Sequence, residues 1–182
     1  TASSLTLASG SRLTAGGMLT VGARDGDIAL AGGTLDAAKL KLTAARSILT
    51  GSGGLIQSTG ATTIAADSLT TTGARVVAGG TLDVTAGTLD NRNGLLASGA
   101  YGATFIVNTL ANDRGTLGGD GSVVVTATSV DNGAGTLAAG GDLTLSIASL
   151  ANATGGQIWA DRDARVTATG TLANRGSIAA AL

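Results

Sequence analysis

A fixed period of about 20 residues in the C-terminal half of the chain constrains its fold more than any other feature. An asparagine recurs there two residues after an aliphatic residue, at spacings of 21, 20, 20 and 22 residues. A glycine comes soon after each asparagine, and an aliphatic residue follows that glycine within two positions. Side chains that recur in register indicate units stacked along one axis, and this favours a rod over a concave active site. The asparagines are Asn91, Asn112, Asn132, Asn152 and Asn174.

Short β-type segments carry the same period into the N-terminal half. Their aliphatic anchors lie 19 to 22 residues apart, with a mean of about 20.7. No segment keeps apolar residues at i, i+3, i+4 and i+7 over ten residues, so helices are not predicted. The segments are instead short, rich in Val, Thr, Leu and Ile, and separated by Gly, Asn and Asp. The anchors are Val21, Leu42, Ile64, Val84, Ile106, Val125, Leu145 and Val166.

This period fits one turn of a parallel β-helix with three strands of about four to five residues and tight corners. We therefore predict an all-β, single-stranded parallel β-helix, or solenoid, of about eight to nine coils. With coils about 4.8 Å apart, the rod is about 40 Å long. We expect one continuous unit over residues 1–182, with less regular coils in 1–86 and regular coils in 87–182.

The recurring glycine and asparagine mark the corners of the predicted coils. A tight corner often requires a positive φ, which Gly adopts freely and Asn tolerates. Identical asparagine side chains one coil apart can also hydrogen-bond along the axis, as in other stacked β structures. We therefore predict that the five asparagines form a structural ladder rather than a ligand site.

Composition limits the chemistry that the chain can perform. It has no Cys and no His, so disulfides, thiolate metal sites and histidine-based triads are excluded. The net charge of −1 without basic runs gives no support for nucleic-acid binding. No cofactor or metal site is predicted. The chain has neither a recognisable signal peptide nor an apolar run long enough to cross a membrane. Because the repeat pattern is already under way at residue 1 and is still under way at residue 182, we interpret the chain as a fragment of a longer protein.

Few residues are candidates for function. The carboxylate pairs Asp25/Asp27 and Asp161/Asp163 could serve glycosidic chemistry, but that requires a cleft, and coils of such even length contain no insertion to build one. We therefore do not expect an enzyme. Tyr101 and Trp159 are either surface contact points or fillers of a widened coil. The middle residues of the strands should form a solvated outward column, which comprises Thr20, Lys41, Thr63, Asp83, Val124, Thr144 and Arg165.

Several strings resemble the repeats of filamentous haemagglutinin. They include AGGTLDV at residues 78–84, GTLDNRNG at 87–94 and LAAGGDLTL at 137–145, and the resemblance is best over 78–182. Such repeats belong to large bacterial exoproteins of two-partner secretion, which include adhesins and the stalks of contact-dependent inhibition toxins. The resemblance implies a right-handed β-helix shaft that is secreted to the cell surface through a dedicated outer-membrane pore.

Three functions remain open from the sequence. The leading hypothesis is a structural shaft that projects an adhesive or toxic tip, and the second is a module that uses one face of the rod to bind a host-cell receptor or glycan. The third is a β-helix enzyme that cleaves polysaccharides. The expected partners are the secretion pore, which would act through an N-terminal domain absent from this sequence, and a receptor or glycan. The ends of the fragment could also stack on each other.

Overall fold

The computed structural model describes residues 2–181, which form strands and turns without any helix. No stretch of these residues is a helix that could span a membrane. The strands are β1 Leu5–Thr6, β2 Arg12–Ala23, β3 Ile28–Ala29, β4 Thr34–Ala44, β5 Ser47–Leu49, β6 Leu55–Ser58, β7 Thr62–Thr70, β8 Arg75–Ala78, β9 Leu82–Asp90, β10 Leu95–Ser98, β11 Ala103–Ala111, β12 Thr116–Gly119, β13 Val123–Asp131, β14 Thr136–Ala139, β15 Leu143–Asn152, β16 Gln157–Ala160, β17 Ala164–Ala168, β18 Leu172–Asn174 and β19 Ser177–Ala180.

Every strand pairs in parallel with the equivalent strand of the next coil. Strand β10, for example, lies between β8 and β12, and its Leu96 pairs with Val76 on one side and Leu117 on the other. Residues 2–181 form a β-solenoid of about eight turns with ~21 residues in each turn. This confirms the predicted all-β class, the parallel stacking and the period.

Each regular coil has three faces. In one coil, the first face is the short strand β10, and the long strand β11 supplies the other two. Residues 103–107 of β11 pair with the neighbouring coil as the second face, and residues 109–111 pair with it as the third face. The pairing is interrupted between them at Asn108, where the long strand turns from one face to the next.

The core is a narrow column of aliphatic side chains that alternate inward along each strand. Leu96, Phe105 and Leu110 point inward from the three faces of one coil and are fully buried. Burial of a side chain of this size contributes about 1.5–3 kcal/mol, but only when coils cover it on both sides. In the last coil Leu172 has a neighbour on one side only and is 46% exposed.

One anchor of the predicted register was wrong by a single position. Phe105, not Ile106, pairs with Val84 and Val125 in the buried column. Ile106 points outward and is 51% exposed. Successive side chains of a strand face opposite sides, so the two apolar neighbours cannot both enter the core, and the larger one does. The outward column accordingly includes Thr104, which the sequence prediction omitted, between Asp83 and Val124.

The first complete coil departs from this regularity. Its strand β2 shifts register against β4 between Ala15 and Met18, where the consecutive glycines Gly16 and Gly17 add length to the coil. An extra residue of this kind forms a bulge and re-aims the next side chain. Met18 is consequently 60% exposed.

Candidate functional site

The five asparagines lie in one column at the corner between the third and first faces. The side-chain amide nitrogen of each donates to Oδ1 of the next, and all four of these distances are 2.8 Å. Asn91, Asn112, Asn132 and Asn152 are buried, whereas Asn174 in the last coil is exposed. The hydrogen bonds of this asparagine ladder run along the axis of the rod.

The second N–H of each buried amide also has a partner. Asn91 Nδ2 donates to the backbone oxygen of Thr116 at 3.0 Å, and Asn112 Nδ2 donates to that of Thr136 at 3.1 Å. Asn132 and Asn152 repeat this contact with the next two coils. A primary amide has two donor hydrogens and an acceptor oxygen, and this arrangement uses all three. The buried polar column therefore leaves no amide group without a partner.

Two threonines continue the column upstream of the asparagines, and sequence reasoning missed them. Thr71 Oγ1 donates to Asn91 Oδ1 at 2.9 Å, and this satisfies the first acceptor of the ladder. One coil earlier, Thr50 Oγ1 donates to the backbone oxygen of Thr70 at 2.9 Å. Both threonines are fully buried. The signal that could have found them is their spacing, because each lies two residues after a buried aliphatic residue, as the asparagines do.

The predicted positive φ occurs at these corners, for example at Asn93, Arg114 and Gly155, but not at the recurring glycines themselves. Gly94 and Gly115 do not have positive φ, and neither do the ladder asparagines; among residues 2–181 the non-glycine residues with positive φ are Ala31, Asn93 and Arg114. A Cβ on Gly115 would lie 2.6 Å from Asn112 Oδ1 and would also overlap the backbone oxygen of Asn91. Glycine is therefore needed there because the ladder of the adjacent coil approaches too closely for a side chain.

The best-defined charged pair beside the ladder joins Asp90 and Arg92. Arg92 Nε and Nη2 donate to the two oxygens of Asp90 at 2.9 and 2.6 Å. These hydrogen bonds lower the pKa of the Asp90 carboxyl below its usual value and raise that of the Arg92 guanidinium. Both groups are at the surface, so the pair contributes little to stability.

The carboxylate pairs noted in the sequence lie between strands, Asp25/Asp27 after β2 and Asp161/Asp163 after β16. Asp27 Oδ1 accepts a hydrogen bond from the backbone of Ser47 at 2.9 Å, a turn contact. Asp161 lines a surface groove with Trp159, whereas the backbone of its partner Asp163 lies against Asp142. Within residues 2–181, no group of three or more acidic side chains is close enough to hold a metal ion.

The two large amphipathic aromatics lie at separate places on the surface. Tyr101 is in the corner after β10 and is 80% exposed. Trp159 is on the outward side of β16, in register with Ala138 and Ala179, and is 38% exposed. The strand before Tyr101, β10, is three coils from β16, so the backbones that carry the two rings are about 14 Å apart along the rod.

The chain matches two family descriptions. A family described as Hemagglutinin repeat matches residues 1–59. A second, described as Haemagglutinin repeat, matches residues 37–100 and 77–176, which together cover more than half of the chain. Neither the curated proteins nor the solved structures contain a match to this chain.

Proposed function

The chain belongs to the haemagglutinin-repeat family, and on that basis we propose that it is a shaft segment of a large secreted bacterial surface exoprotein. The observation that carries this proposal is the uninterrupted stacking of parallel coils, in which pairing extends from Leu5 in β1 to Ala180 in β19. Coils about 4.8 Å apart give a rod of about 40 Å. Further coils would lengthen such a rod without changing its cross-section.

The direction of the hydrogen bonds supports this role. The strand pairing and the asparagine ladder both join one coil to the next, so the bonds resist extension along the axis. The strand pairing joins adjacent coils, and contacts that are local in sequence allow folding to propagate from coil to coil. Such a chain suits export through an outer-membrane pore in an unfolded form. We propose that pore as its secretion partner and the bacterial surface as its location.

We further propose that the ladder asparagines are structural, with no catalytic, metal or cofactor role. The rod is one continuous unit, and residues 87–182, which contain the ladder, are its more regular part. The register shift between Ala15 and Met18 supports a less regular part at 1–86. At the tip of the complete exoprotein we expect an adhesive or toxic domain that this shaft holds away from the cell.

Deletions in register with the coils test the shaft. Removing residues 112–151 takes out two coils and joins Ala111 to Asn152, which has the same position in its coil as Asn112. Small-angle scattering should show a rod about 9.6 Å shorter with an unchanged cross-section. Deleting residues 112–141 is the matched control, because it removes one and a half coils and should prevent stacking. Equal effects of the two deletions would contradict the proposal.

A second candidate function is direct binding by a face of the rod, and the exposure of Trp159 and Tyr101 favours it. We propose these two side chains as contacts with a host-cell receptor or glycan. Saturable binding of the isolated chain to target cells, lost on Trp159→Ala or Tyr101→Ala, would support it. A passive shaft predicts no saturable binding. We assign no catalytic role, and turnover of a polysaccharide by the purified chain would refute that assignment.

A further inference from the structure

A shallow groove of about 260 Å³ crosses four coils on the first face beside Trp159. Gly118, Ala138 and Trp159 are in register across β12, β14 and β16, so the indole stands next to a floor of small residues. Trp159 is the only tryptophan in the chain, and 38% of its surface is exposed. A large ring beside a smooth floor leaves one aromatic face available for a ligand.

The charged residues that line this groove are both acidic. They are Asp120 and Asp161, and no lysine or arginine lines it. Gly140 lies between them in the stack and packs closely against the backbone of Asp120. The backbone positions that carry the two carboxylates are therefore two coils, about 9.6 Å, apart. Neither forms an ion pair within residues 2–181. Arg162, adjacent to Asp161, instead binds Asp142, at an Nε to Oδ1 distance of 3.2 Å.

We propose that this groove binds a cationic side chain, that of Lys or Arg, on an extended segment of a partner protein. An aromatic face attracts cations, and Trp is the best of the aromatic residues at this. Asp120 and Asp161 add attraction from one side, and they repel anionic ligands such as sulfated glycans. This inference rests on the lateral binding proposed above and gives that binding a ligand class. It does not depend on the role of the chain as a shaft.

Trp159 provides its own readout, because its fluorescence reports only on this groove. The probe is the blocked tripeptide acetyl-Gly-Arg-Gly-amide, with the Lys peptide in parallel and acetyl-Gly-Gln-Gly-amide and galactose as neutral controls. The cationic peptides should bind saturably and more weakly as salt is raised. Asp120→Asn combined with Asp161→Asn should weaken binding at least about fivefold. Asp83→Asn, an exposed carboxylate on the second face, is the matched control and should leave binding unchanged.

Trp159→Ala removes the fluorophore, so its binding is followed by amide chemical shifts and should be lost. Unchanged affinity in the double Asn variant, equal binding of the Gln peptide, or a response to galactose alone would overturn the inference. Scattering on the same samples separates the two proposals. If the wild-type rod has the expected length but binds no cationic peptide, only the proposed binding by the groove is refuted. If no rod is observed, the proposed role as a shaft is refuted.

Discussion

Replacing Asn132 with alanine should lower the free energy of unfolding by about 3 kcal/mol. The side chain is fully buried in the middle of the asparagine ladder. Its Oδ1 accepts from Asn112 Nδ2 at 2.8 Å, and its Nδ2 donates to Asn152 Oδ1 at 2.8 Å. Alanine would remove the ladder partner of the buried donor Asn112 Nδ2 and that of the buried acceptor Asn152 Oδ1. Each such group costs about 1–3 kcal/mol, so the two together cost about 2–6 kcal/mol, and the expected value of about 3 kcal/mol lies in the lower half of that range.

Two variants separate the hydrogen bonds from the packing. Asn174→Ala removes the same side chain where it is exposed, and water can replace its single contact with Asn152, so we expect a loss of about 1 kcal/mol or less. Asn132→Asp keeps the shape and the acceptor but removes both donor hydrogens and buries a charge. At neutral pH it should therefore destabilise the rod at least as much as Asn132→Ala does.

The assay is urea unfolding followed by circular dichroism, with melting temperatures as a second measure. A loss of 3 kcal/mol corresponds to a fall of about 6–12 °C in a domain of this size. Variants are compared at equal m-values, because a changed m indicates a change in the surface that unfolding exposes. Effects of Asn132→Ala and Asn174→Ala that agree within about 0.5 kcal/mol would refute the argument that the buried ladder stabilises the rod.

Three further predictions follow from the corners. Gly115→Ala should destabilise the rod by at least about 2 kcal/mol in urea unfolding, because its Cβ would overlap the adjacent coil. Gly16→Ala is the control and should not destabilise the rod, because a Cβ there has nothing within 4 Å. Arg114 has a φ of 53°, which is strained for any residue but glycine, so Arg114→Gly should be neutral or stabilising by up to about 1 kcal/mol. Gly155→Ala makes the reverse change at another positive φ, and an equal loss of stability in both variants would contradict this reasoning. Because the folded pKa of Asp90 lies below the usual value of 3.8 for an aspartate, the stability that its carboxylate contributes is present above that pH and is lost as the pH falls through the folded pKa. Asp90→Asn should therefore slightly lower stability at pH 7, and this loss should shrink as the pH is lowered through the folded pKa. A loss that does not change with pH would count against the ion pair.

The period and the fold class could be predicted because they depend on spacing. Asn112, Asn132 and Asn152 are 20 residues apart, and the pairing of β11, β13 and β15 follows that step. The exact register was less accessible where two apolar residues are adjacent. Phe105 and Ile106 both fit a buried strand, and only packing between coils decides which of them enters the core.

The candidate site was less predictable because its determinants come from neighbouring coils. The glycine at position 115 looks like a turn residue in sequence, but it is needed to avoid Asn112 Oδ1 and the backbone of Asn91. Thr71 differs chemically from the asparagines, yet its hydroxyl supplies the donor that the first ladder oxygen needs. The groove beside Trp159 has Gly118 and Ala138 next to the indole, and this arrangement is visible only once β12, β14 and β16 are aligned.

Distances between spin labels along the outward column test the solenoid most directly. The chain has no cysteine, so labels can be attached at single introduced cysteines without interference. One label replaces Arg165, and the second replaces Asp83, Thr63, Lys41 or Thr20, which lie successively one coil further along the column. Stacked coils predict mean distances of about 19, 24, 29 and 34 Å, rising by 4.8 Å with each coil. Distances that do not rise with the number of coils would contradict the solenoid.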